Sequence, residues 1–180
     1  MIYVFFGQGF EEIEALTSVD LLRRAELDVQ TVGIGQREIT SAHGVTVRCD
    51  ISDDEISPEG LEMVVLPGGM PGTLALEQSE AVQTAIEYCV ENNKWIGAIC
   101  AAPTILGHKG LLQDKNVTCF PGFEEQLIGA KISNEPLCMD GNIITAKGPG
   151  MSIEFALKLV EVLTDSRQAK VLKGSLQCRA

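Results

Sequence analysis

Apolar and polar positions along this chain switch repeatedly between two periods. Met1–Phe6 is a short apolar run closed by Gly7, the pattern of a strand buried on both faces. Glu11–Ala25 follows with helical spacing, carried by Ile13, Leu16, Val19 and Leu22 beside Ala15 and Ala25. Asp28–Ile34 predicts a second strand, and Glu38–Cys49 an extended excursion around the turn Ala42-His43-Gly44. Glu62–Leu66 predicts a third buried strand, ended by PGGMPG. Ser79–Asn93 predicts a helix, with Ala81, Val82, Ala85, Ile86, Cys89 and Val90 at helical spacing. Lys94–Ile99 predicts a fourth strand, and Ala101–Lys109 a helix with Pro103 near its first turn. Val117–Cys119 is short and extended. Pro136–Met139 and Asn142–Thr145 predict a hairpin around Asp140-Gly141. Helices over Ser152–Leu163 and Ser166–Lys173 complete the pattern.

Strands that alternate with helices from the first residue imply a mostly parallel sheet with helices on both faces. No repeat, linker or low-complexity run interrupts the order, so the 180 residues are expected to form one α/β domain of the doubly wound kind. Ligands of such sheets sit beyond the carboxyl ends of the strands. That directs attention to GQGFEEIE, LPGGMPG and ICAAP, each of which follows an expected strand.

Composition narrows the function classes. No apolar run reaches the length of a bilayer crossing, and the opening IYVFFG has no basic segment or cleavage site ahead of it. A soluble, cytoplasmic protein without a membrane partner is the expectation. A net charge of −11, with Arg23-Arg24 the one basic pair of note, argues against nucleic acid as the main partner. The six cysteines form no CxxC pair and have no histidine at ligand spacing, so no metal is expected. Without a secretory signal a disulfide framework is not expected either. Most of the thiols are then inert core residues.

Gly7-Gln8-Gly9 partly matches a dinucleotide fingerprint, but Glu12 stands at the third glycine position. Glu11, Glu12 and Glu14 crowd the helix start, where they would repel a pyrophosphate. Glu11 and Glu12 read as favourable partners of the helix dipole. Glu14 sits one turn in, with uncharged Thr17 and Leu21 on the same face, and is expected to point inward. Gly68-Gly69 ends a buried strand, where a turn with positive φ would leave bare N–H groups above the strand ends, as in an oxyanion site.

GAICAAP has the form of a nucleophile elbow, small-x-nucleophile-x-small, with Ala98 and Ala102 flanking Cys100. The elbow would set Cys100 at the start of the next helix, whose dipole favours a thiolate. Histidine is scarce as a base: His108 lies two turns down the same expected helix and points away, and His43 lies in a surface turn. A carboxylic acid can take that place. If Glu14 reaches Cys100, its pKa should rise and the thiol's fall, leaving a thiolate beside a neutral acid.

GFEEIEA, VVLPGG, AICAAP and KGPG, in this order in a chain of this size, resemble the DJ-one/ThiJ/PfpI superfamily, and the resemblance covers almost the whole chain. It implies a flavodoxin-like sandwich with Cys100 as the elbow cysteine and Glu14 as its protonated partner. It also implies an oxyanion site from the amides of Gly69 and Ala101, a pocket near Gly68 and Lys147-Gly148-Pro149-Gly150, and a homodimer. Two positions depart from relatives. Ala101 stands where the protease-like branch has histidine, which argues against peptidase activity. Phe120 stands where some relatives carry a pocket histidine, so the pocket should be more apolar and any proton transfer assigned to that histidine is lost or moved to Glu14. The function expected is cofactor-free chemistry on small reactive aldehydes or glycated substrates, of glyoxalase III or deglycase type. The alternative is a redox sensor or chaperone in which Cys100 is oxidised to a sulfinate.

Overall fold

The structure is a computed structural model and describes residues 1–178. Its strands are β1 (Ile2–Phe6), β2 (Val29–Gly33), β3 (Glu38–Thr40), β4 (Thr46–Arg48), β5 (Ile51–Ser52), β6 (Met63–Leu66), β7 (Trp95–Ile99), β8 (Asn116–Val117), β9 (Lys131–Ile132), β10 (Leu137–Asp140) and β11 (Ile143–Ala146). Its helices are α1 (Glu12–Arg24), α2 (Gly72–Gln78), α3 (Glu80–Glu91), α4 (Pro103–His108), α5 (Ser152–Leu163) and α6 (Ser166–Ser175). Seven strands form the central sheet in the order β10-β11-β7-β6-β1-β2-β5. Every neighbour pair is parallel except the β10–β11 hairpin. No helix among the described residues is long and apolar enough to cross a membrane.

The continuous apolar strands divide their side chains between two cores because successive residues face opposite sides of a sheet. Ile2, Val4 and Phe6 pack with Ala15, Leu22, Phe155 and Leu159 under α1 and α5. Tyr3 and Phe5 pack with Leu76, Val82, Ile86 and Ile105 under α2, α3 and α4. The expected layers are therefore present, with helices on both faces. α5 lies close on β7: a Cβ at Gly97 would stand 2.8 Å from Leu159 and 3.1 Å from the Phe155 ring. Truncating a buried phenylalanine such as Phe155 costs roughly 3–5 kcal/mol.

The structure differs from the sequence reading at the short elements. The helix expected over Ala101–Lys109 begins only at Pro103, because Ala101 and Ala102 continue the turn that starts at Cys100. α2 lies in a stretch read as turn: it follows PGGMPG at once, and Leu76 is its one large buried apolar residue. The extended segment at Val117–Cys119 is shifted to Asn116–Val117, where it pairs with the unforeseen β9. The hairpin turn is Gly141-Asn142, one residue later than expected. Asp140 pairs with Ile143, and Gly141 takes the first turn position at φ 61°. β5 was not foreseen either, being two residues that extend the sheet edge beside β2.

Candidate active site

Three adjacent strands deliver the site. β7, β6 and β1 lie side by side and parallel, so their carboxyl ends open at one edge of the sheet. β7 runs directly into Cys100, whose φ of 66° is left-handed, a conformation rarely adopted outside glycine. Hydrogen bonds on both sides hold that turn. The Cys100 N–H donates to Ala146 O at 2.9 Å, and the Cys100 carbonyl accepts from the Phe120 N–H at 2.8 Å. Ala98 and Ala102 are fully buried, so larger side chains would have no space there. The elbow is thus formed as the small-x-Cys-x-small spacing predicts. The helix dipole contributes less than expected, because α4 starts three residues after Cys100 and has only 6 residues. The backbone N–H groups of Ala101 and Gly69 lie close enough to the Cys100 sulfur to favour its charged form instead.

β1 leads through Gly7–Phe10 into α1, whose first turn carries Glu14. Its side chain points inward and has no exposed surface. Oε2 accepts from the Gly68 N–H at 2.8 Å, and the carboxyl group stands next to the Cys100 thiol, each shifting the other's proton affinity. Oε1 is buried without a hydrogen-bond partner among the described residues. Gly68 itself is wedged between the two side chains. A Cβ there would fall 2.6 Å from the Cys100 Cβ and 2.9 Å from Glu14 Oε2, so any other residue would push the pair apart.

Gly69 follows with a left-handed φ of 91°. Hydrogen bonds from the starts of α1 and α2 hold the two peptides on either side of it. Thr73 at the start of α2 donates to the Gly69 carbonyl from its N–H at 2.8 Å and its hydroxyl at 3.0 Å. The Glu11 N–H donates to Gly68 O at 3.0 Å, tying α1 to the same loop. The amides of Gly9, Phe10 and Glu11 donate to Thr40, Gly7 and Gly68 carbonyls. The Gly7-Gln8-Gly9 stretch is therefore committed to loop packing and does not offer these N–H groups to a pyrophosphate.

Electrostatics couple the two side chains. Burial pushes Glu14 up from 4.5 to about 7; the Gly68 N–H and the Cys100 thiol draw it back, and the charge of Glu11 raises it further. Burial also pushes the Cys100 thiol up to about 12, aided by the charge and hydrogen bond of an ionised Glu14 and opposed by the Ala101 and Gly69 amides. The expected fall of the thiol pKa is therefore not met when Glu14 is ionised, because a thiolate would then sit beside a carboxylate. The value near 7 marks the loss of the first proton from the pair as a whole. Cys89, pushed up to about 12, and Cys49 and Cys119, up to about 11, are raised chiefly by burial. What sets Cys100 apart is its carboxyl partner and its two amides.

Among the other expected residues, Phe120 stacks on Gly148, where a Cβ would come within 3.0 Å of the ring. Phe120 is 42% exposed, an apolar surface beside the elbow it helps to hold. Pro149 serves the start of α5, its carbonyl accepting from the Ser152 hydroxyl at 2.8 Å. His108 pairs with Glu77 at 2.5 Å, away from Cys100 as expected. His43 is exposed and pairs with Glu12. A cavity of about 700 Å³ lined by Tyr3, Ile34, Asp53, Ser79 and Thr84 contains none of the site residues.

The raised acid predicts a pH dependence of stability. Between 4.5 and about 7 the folded chain holds a proton that unfolded Glu14 has released. Stability from this group is therefore greatest below 4.5 and declines as pH rises to about 7. The full decline is roughly 3 kcal/mol at 1.36 kcal/mol per pH unit. Denaturant unfolding of the native sequence and Glu14→Gln should show the variant gaining by about that amount between pH 4.5 and 7.5. A difference that stays constant with pH would contradict the raised value.

Comparison with known proteins identifies the family and the fold. Residues 1–162 match the model of the DJ-1/PfpI family. The chain is 34% identical over 177 residues to protein dj-1beta of Drosophila melanogaster, covering 96% of this chain and 95% of that protein. It is 32% identical over 155 residues to the glutathione-independent glyoxalase DJR-1.2 of Caenorhabditis elegans, covering 85% and 82%. Protein DJ-1 homolog B of Arabidopsis thaliana is longer: 36% identity over 162 residues covers 89% of this chain but 37% of that protein. The solved structure of oxidized Toxoplasma gondii DJ-1 superimposes with a TM-score of 0.95 at 32% identity, over 99% of this chain and 98% of that one. The chain belongs to the DJ-1/PfpI family.

Proposed function

We propose that the protein is a cofactor-free enzyme that converts small dicarbonyl aldehydes, such as glyoxal, to 2-hydroxy acids through Cys100. One observation carries this reading. A carboxyl group with no exposed surface and one unpartnered oxygen stands against a thiol flanked by two backbone amides. The Ala101 and Gly69 amides favour a charged sulfur, and Cys100 as a residue is not fully buried, whereas the Glu14 carboxyl receives one N–H and is closed off. When the pair has lost one proton, this asymmetry favours the charge on sulfur and the remaining proton on Glu14. The glyoxalase name of the Caenorhabditis elegans relative is consistent with that chemistry.

The reaction needs no redox partner. The Cys100 thiolate attacks the aldehyde carbon, a C–S bond forms, and the carbonyl electron pair moves onto oxygen. The amides of Gly69 and Ala101 lie beside that developing alkoxide, and Glu14 gives it a proton. The Glu14 carboxylate then takes the C–H proton of the hemithioacetal while the neighbouring carbonyl oxygen gains a proton from water, giving an enediol. Glu14 returns its proton to that neighbouring carbon as the hydroxyl on the sulfur-bearing carbon gives its proton back to water. The product is a thioester of the hydroxy acid. Water cleaves the C–S bond, releasing acid and thiol. The sum is dicarbonyl plus water to 2-hydroxy acid. Ala101, at the position after the nucleophile, supplies an amide and no imidazole, which disfavours protonation of an amine leaving group and hence peptide cleavage.

Purified protein should convert glyoxal to glycolate. Cys100→Ala should abolish turnover, and Glu14→Gln should lower kcat by about 10²–10⁴, the usual range for loss of a positioned acid and base. Turnover by either variant equal to that of the native sequence would overturn this reading.

A homodimer fits the surface. Ile13 and Leu16 on α1 and Ile153 on α5 are 54%, 38% and 40% exposed, on helices that pack together beside the site. Sedimentation should find a dimer that Leu16→Glu weakens; a monomer at micromolar concentration would refute it.

A further inference from the structure

We propose that Glu11, Glu12 and His43 form a binding site for a divalent first-row transition-metal ion, with the imidazole Nδ1 and one oxygen of each carboxylate as donors. The two glutamates open α1 and His43 caps the β3–β4 hairpin, 31 residues from Glu12. The imidazole Nδ1 lies 3.1 Å from the Glu12 carboxylate and 3.9 Å from Glu11 Oε2. All three donor atoms fall within 4.8 Å of one another. Metal–donor bonds of about 2.0–2.2 Å place two donors of one ion at most about 4.3 Å apart. The three groups therefore need to close by only a few tenths of an ångström to hold one ion.

The donors are brought together by the fold and not by chance contact of mobile side chains. The Ala42 N–H donates to Phe10 O at 2.8 Å and the Gly9 N–H to Thr40 O at 2.8 Å, so the hairpin is pinned to the start of α1 next to each donor. Ser41 closes the turn that carries His43, its hydroxyl accepting from the Val45 N–H at 3.0 Å. The Glu11 and Glu12 side chains are only 12% and 17% exposed, yet among the described residues neither pairs with a lysine or arginine. One nitrogen and two carboxylate oxygens are a donor set for borderline divalent metals, and 68% exposure of His43 leaves room for water in the remaining positions. This site contains no sulfur and is separate from the Cys100 thiol, although Glu11 also bonds the Gly68 loop.

Isothermal titration of the untagged full chain with nickel(II) chloride tests the proposal. One ion per chain should bind saturably. His43→Ala and Glu12→Gln should each weaken binding at least tenfold, with circular dichroism showing both variants folded, and Cys100→Ala should bind as the native sequence does. The proposal is overturned by an absence of saturable uptake, by unchanged affinity in folded His43→Ala, or by loss of uptake in Cys100→Ala, which would assign the ion to the thiol.

Discussion

Glu14 is a carboxyl group closed off from water, touching a thiol and receiving one backbone N–H, and the loops above the sheet are arranged around that contact. An ionised carboxylate in such a place has lost most of its hydration and regains a single amide in exchange. The cost raises its affinity for a proton. In the proposed function the neighbouring sulfur, larger and on a residue that is not fully buried, is the better seat for a negative charge. The chemistry proposed for this protein follows from that inequality: a nucleophile made anionic without histidine, and an acid that keeps its proton where an ordinary glutamate has lost it.

Residues 14, 68 and 100 are far apart in sequence and meet because β1, β6 and β7 are consecutive in the sheet and run the same way. Strands spaced by about 4.8 Å put three loop origins within one side chain's reach of each other. The contact then depends on details at each end. Cys100 must hold a left-handed backbone, for which the Ala146 and Phe120 hydrogen bonds compensate. Gly68 must remain without a side chain, since a Cβ would enter the space between Cys100 and Glu14. The Glu11 N–H holds Gly68 O, the carbonyl of the peptide that carries the Gly69 N–H, and Thr73 holds the carbonyl of the next peptide.

The long periodic segments were legible as elements: Val19 and Leu22 on α1 and the continuous apolar strands give the layers, although Ile13 and Leu16, which share the helical spacing, lie on the exposed face of α1. The elbow was legible too, because Ala98 and Ala102 are small for a steric reason that survives in sequence. Short elements were not. α2, β5 and β9 have 7, 2 and 2 residues, too few to show a period, and their formation rests on tertiary contact. Glu14 could be read as inward from its uncharged neighbours, but the rise of the thiol pKa beside an ionised Glu14 could not, since it depends on how deeply both groups are buried. Thr73 and the convergence of His43 on Glu11 and Glu12 left no local signal, because each joins segments that only the folded chain brings together.

The direct measurement of the central contact is the infrared carbonyl stretch of a protonated carboxyl, taken as the difference between the native sequence and Glu14→Gln at a pH above 7. A band that persists there, while thiolate absorbance lost in Cys100→Ala has already appeared, is the result this account predicts. A band that disappears as the pH passes 7, with no thiolate formed, would place the charge on Glu14 and contradict it.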